Sequence, residues 1–183
     1  MFPQFLEHLE DEGRMQIIHD REGLIPYLQR WYVAFPDSTQ RSAEEQNIPF
    51  NTFVHRFWKS DDPVFHTHPW NWFHSTILEG GYWEHTPWGV TWHKVGSTRY
   101  VDCNKMRHLD DDPSRPLVPA NLHWVEIENP GDAWTLFTRG PKKDNGFWGF
   151  MDNLETGEIV PHDIYIEQHR KTDDDTKQHR MEG

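Results

Sequence analysis

Two histidines two residues apart, His66 and His68 in the run PVFHTHPWNW, are the residues of this sequence best placed to do chemistry. On a strand that spacing turns both imidazoles to one face, where they can share a single metal ion. Neutral imidazole is a good ligand for Zn, Fe, Ni, Cu and Mn. The chain has 13 histidines, so an HxH pair by chance is unsurprising, and two solvated strand histidines are the plain alternative. A third candidate changes that balance. In PLVPANLHWVEI a proline-bearing turn leads into a strand-like run that carries His123, and closing a barrel would set this run beside the first pair.

The segment YWEHTPWGVTWH reads as a hairpin with its turn at TPWG. In that register residue 84 opposes 91 and residue 82 opposes 93, so Tyr82, Glu84, Thr91 and His93 share one face while Trp83, His85 and Trp92 share the other. Tyr82 and His93 on one face would suit substrate binding, or a pair that moves a proton beside a carbonyl.

Several elements must position these side chains. From Phe50 to Phe150 the chain is a series of short runs rich in Val, Thr, Phe, Trp and Tyr, broken by SDDP, EGG, TPWG, DDDPSRP, NPGD and GPKKDNG. Strand-length runs with regular turn signals predict an all-β sandwich or barrel, here over residues 50–166. Residues 3–12 and 21–32 carry apolar residues at helical spacing and predict short helices, so that 1–49 forms a helical segment packed on the barrel. The tail 167–183 has almost no apolar residue and is expected to be disordered.

With 183 residues the chain fits one domain. Only 35% of residues are apolar, but ten are tryptophan, so core volume must come from large rings that suit pleated sheet. Thirty acidic residues against 18 basic ones give a net charge of -12, which disfavours nucleic acid as a partner. No run is apolar enough to span a membrane and no leader is seen, which predicts a cytoplasmic protein. The single Cys103 excludes an intramolecular disulfide and a CxxC zinc site, and reads as a packing residue.

Taken together, the HxH pair at His66 and His68, the glycine-bounded turn at Gly80 and Gly81, and the Pro119 turn before His123 resemble the two motifs of the cupin superfamily. A narrower likeness is to uncharacterised phage-encoded cupin-like proteins. Its marks are His68-Pro69-Trp70, Gly80-Gly81-Tyr82-Trp83-Glu84, Thr135-Leu136, Gly140-Pro141 and Trp148-Gly149-Phe150, in that order. The resemblance implies a single cupin-like jelly-roll barrel with one divalent metal ion, Fe(II) before Mn, Zn or Ni, held by His66, His68 and His123. Cupins commonly carry a glutamate four or five residues after the second histidine, and this chain has Trp72 and Phe73 there. Glu84 is the candidate for the displaced carboxylate, as fourth ligand or as a proton-handling group; a solvated outer-face residue is the alternative. The function implied is a metal-dependent enzyme of Fe(II) oxygenase type acting on a small molecule. The alternatives are a sugar or sugar-nucleotide isomerase or epimerase, and a non-catalytic binding module. Cupin barrels often pair through sheet edges, so a homodimer is a further expectation.

Overall fold

The computed structural model describes residues 2–20, 23–36, 48–143 and 147–169. The chain is predominantly antiparallel sheet with a small helix near each end, the all-β barrel that the strand-length runs predict. One wall is a six-stranded sheet. Its strands are β1 (Met15–His19), β2 (Pro26–Tyr32), β3 (Asn51–Phe57), β12 (Ala133–Arg139), β5 (Trp72–Glu79) and β8 (Thr98–Asp102), in that spatial order.

Alternation along these strands decides what each face covers. Trp31, Val54 and Leu136 point outward and pack with Leu6 and Leu9 of helix α1 (Phe2–Asp11), whose other side is acidic and exposed. Trp31 stacks on Trp134 with centroids 5.5 Å apart, and its indole N–H donates to Glu10 at 2.9 Å. The intervening residues Arg30, His55, Thr135 and Phe137 point inward, toward the second wall.

That second wall is made of two three-stranded sheets. The first contains β11 (Trp124–Glu126), β6 (Gly81–Thr86) and β7 (Gly89–Lys94), and the second β14 (Val160–Pro161), β13 (Gly149–Met151) and β4 (Phe65–His66). Among the described residues they meet at one antiparallel bridge, between His66 and His123. A short pair, β9 (Met106–His108) with β10 (Leu117–Pro119), packs Leu109 and Val118 against Leu122 and Met151. The chain crosses from β5 to β6 at Gly80, which has φ +64° and where a Cβ would lie 2.3 Å from the Asp132 carbonyl oxygen. A side chain there would push this crossing away from the backbone that leads into β12.

The first expected helix is α1, but the second is not a helix. Within 21–32 the described residues 26–32 form strand β2, paired with β1 on one side and β3 on the other. Thus Met15–His19 and Pro26–Tyr32 belong to the six-stranded sheet instead of a helical segment laid on it. Both faces of β2 are covered, Trp31 and Tyr32 being adjacent and both buried, so its apolar residues do not alternate and mimic helical spacing. At the other end residues 162–169 are helical, and the tail from 170 onward lies outside the described residues. Among the described residues no helix is long and apolar enough to cross a membrane.

Candidate metal centre and cavity

His66 and His123 exchange backbone hydrogen bonds in both directions, at 3.0 and 3.2 Å, so their side chains leave the seam on the same side. Thr67 turns the other way: its hydroxyl accepts from the Gly149 N–H at 3.1 Å and pins the HxH segment to β13. His68 is thereby returned to the side of His66. The three rings converge, with centroids 5.2 Å apart for His66 and His68 and 5.0 Å apart for each of these and His123. One ring nitrogen from each lies within 4.8 Å of the others, and the Nε2 atoms of His68 and His123 are 2.9 Å apart.

Removal from water disfavours an imidazolium at all three positions. Burial takes His66 down to about 4 and His123 down to about 3, in the second case with help from the Arg99 guanidinium. Burial first, then the neighbouring imidazoles, push His68 well below its ordinary value. At neutral pH the cluster therefore presents uncharged rings with free lone pairs, the protonation state that a transition metal requires.

Glu84 is buried directly behind this cluster and outside it. Its Oε1 sits 2.5 Å from His123 Nδ1 and pairs also with Arg99, while its Oε2 is 3.0 Å from His93 Nε2. His123 thus donates from Nδ1 to the carboxylate and keeps its Nε2 lone pair for the cluster, the histidine–carboxylate arrangement common behind metal ligands. The hairpin pairs Tyr82 with His93 and Glu84 with Thr91, as the sequence register predicts. Tyr82 faces the cavity next to the cluster, whereas His93 lies on the far side of Glu84 and does not line it.

The position where cupins commonly have a glutamate is an apolar floor. Phe73 is buried under the cluster, its ring 5.1 Å from that of His68 and 6.1 Å from that of His123. Trp72 points away and stacks on Tyr100. Three neutral imidazoles over an aromatic floor could hold one divalent ion.

The cavity between the two walls has a volume of about 360 Å³. Its sides are largely aromatic, with Trp70, Phe137, Phe57 and Trp148 among them. Four polar residues there were not legible as functional. Asp61 lies at the cavity edge, where it accepts from the Tyr27 hydroxyl and, at 2.7 Å, from the Val125 N–H. Its SDDP run reads as an ordinary turn in sequence. His55, 5% exposed, is stacked between Phe53 and Phe137 and accepts from Arg30 Nε at 3.1 Å. Cys103 is buried against Phe73 and Val101, where burial pushes its thiol up to about 11, consistent with packing.

No known family and no curated protein matches this sequence. Solved structures do show similarity. KdgF from Halomonas sp. is 14% identical over 74% of this chain and 94% of that one, with a TM-score of 0.44. The Fe(II) form of HppE is 11% identical over 69% of this chain and 57% of that one, at 0.45. An RmlC-like cupin from Shewanella frigidimarina is 14% identical over 73% and 89%, at 0.41. Identities this low leave the chemistry of the cavity to be argued from its own residues.

Proposed function

We propose that this protein is a metal-dependent enzyme of cupin type, which holds one divalent ion on His66, His68 and His123 and transforms a small molecule in the adjoining cavity. The observation that carries this reading is the convergence of three uncharged imidazoles at the wall of a 360 Å³ cavity. A structural site is normally closed by four protein ligands, and here no fourth His, Cys, Asp or Glu of the described residues joins the three. Iron is the favoured ion, and Mn, Zn or Ni would suit the same donors. A ferrous ion there would supply the capacity to bind O2 next to a substrate, which makes the chemistry that of an oxygenase.

The chain's own residues do the rest. Glu84 holds His123 in the tautomer that leaves Nε2 unprotonated. Phe73 sets an aromatic ring against the cluster, and the largely aromatic walls make the cavity a poor place for water. Tyr82 and the Tyr27–Asp61 pair are the groups at the cavity able to hold or move a proton. An isomerase using Tyr82 with His93 has less support, because His93 is spent on Glu84.

Protein purified without a metal-affinity step should contain one transition-metal ion per chain by elemental analysis. The double variant His66→Ala, His68→Ala should lose it while keeping its circular dichroism spectrum. Nitric oxide added to the ferrous protein should give an electron paramagnetic resonance signal that reports an open position. Unchanged metal content in the double variant would overturn the assignment.

A further inference from the structure

Across the cavity floor, Arg30 on β2 and His55 on β3 are directly opposed partners. Arg30 is the sole lysine or arginine among the described residues that lines the cavity. Its Nε is committed to His55, and its Cζ lies 5.0 Å above the Phe53 ring. Among the described residues no carboxylate pairs with it. The one acidic side chain of the cavity, Asp61, gives one oxygen to Tyr27 and the other to the Val125 N–H. Neither Nη group of Arg30, a residue that lines the cavity, has an acceptor among the described residues.

His55 adds a second donor. A guanidinium Nε can only donate, so His55 Nε2 must accept, and a neutral imidazole that accepts at Nε2 carries its proton on Nδ1. The ring is held neutral by burial and by the Arg30 charge. None of the described residues accepts from Nδ1. The inward face of the sheet thus presents a guanidinium and, on the far side of the imidazole ring from it, an N–H, neither with a further acceptor among the described residues.

We infer that this cavity takes a small monocarboxylic acid with an aromatic or apolar body, its carboxylate on Arg30, which His55 orients, and its far end at the His66, His68 and His123 cluster. The planar fork of Arg30 matches a carboxylate, which can take both Nη groups at once. One cation balances one negative charge, and Asp61 would repel a second, which disfavours dicarboxylates and phosphate esters. A body stacked on Trp70 and Phe137 needs no further polar partners, whereas a polyol would leave its hydroxyls unpaired against those rings. The placement of the far end rests on the metal-enzyme reading; the carboxylate site does not.

The test uses metal-free protein, dialysed against chelator, so that a carboxylate cannot be held by the ion. Benzoate, benzamide and phenyl phosphate are titrated by calorimetry or ligand-observed NMR. Benzoate should bind at least tenfold more tightly than the other two. Arg30→Met, which keeps the stem over Phe53 but removes the charge, should abolish that preference without lowering metal content after reloading. His55→Phe, which keeps the stacking but removes the acceptor that orients Arg30, should weaken benzoate several-fold. Equal binding of benzoate and benzamide by the wild-type protein would overturn the proposal, with no variant needed. If benzoate is preferred through Arg30 but the protein takes up no stoichiometric metal, the carboxylate site stands and the metal-enzyme reading fails.

Discussion

The carboxylate of Glu84 sits 2.5 Å from His123 Nδ1, the ring nitrogen that the histidine cluster does not use. Glu84 therefore acts on the centre through His123. In Glu84→Gln the amide would hold the imidazole less firmly and lower its basicity, so metal affinity should fall by about 10- to 100-fold while saturation still gives one ion per chain. Competition with a chromophoric chelator measures this. A fall in stoichiometry instead of affinity would mean that Glu84 is itself a ligand.

All three cluster histidines titrate lower in the folded chain than in the unfolded one, where histidine titrates near about 6.5. As pH falls below that value the unfolded chain takes up protons that the folded site refuses, so stability declines with falling pH. The window runs from about 6.5 down to about 4 for His66 and about 3 for His123. At about 1.4 kcal/mol per unit, metal-free protein should lose several kcal/mol between neutral pH and pH 4. Urea midpoints measured across that range check the slope. A flat profile would mean that the imidazoles are as well solvated folded as unfolded.

Phe73 stands under the cluster where cupins commonly carry a carboxylate. In Phe73→Glu a buried charge without a partner should destabilise the metal-free protein by roughly 3 kcal/mol or more. Added metal should restore much of that loss, raising the thermal midpoint more than it does in the wild type. An equal rise in both proteins would show that position 73 does not face the ion.

How much of this was legible in the sequence follows the range of each contact. The histidine pair was legible because two residues on one extended segment fix their own relation, and the Tyr82–His93 register because a tight hairpin fixes the pairing across it. The Arg30–His55 pair was not. Those residues lie 25 positions apart with a long connection between them, and only the order of strands in the sheet brings them together. Strand β2 was misread as a helix for a related reason, since α1 covers its outer face and the core its inner one. The ligation role expected for Glu84 turned on direction. The sequence register sets its face, but not whether the carboxylate reaches the ion or stops at His123.

Thr135 Oγ1 is buried with no hydrogen-bond partner among the described residues. Replacing the hydroxyl by a methyl group removes an unmet donor and acceptor at nearly constant size. Thr135→Val should therefore be neutral or stabilising by about 1 kcal/mol in chemical denaturation. A marked destabilisation would point to a bridging water that the hydroxyl holds.

With a net charge of -12 the protein should not shift DNA or RNA in a gel titration at physiological salt. Tight, salt-sensitive binding would require a cationic face that the overall charge conceals.

Among the described residues, the backbone bridge across the seam between the two small sheets is the reciprocal pair of hydrogen bonds between His66 and His123. An ion shared by these two residues would rivet the barrel at its thinnest place. Occupancy should then be visible far from any catalytic assay, as slowed deuterium uptake at the His66 and His123 amides and as resistance of the Phe65–Trp70 stretch to proteases. Metal supply would in that case govern how long each copy of the protein survives, as well as what it can do.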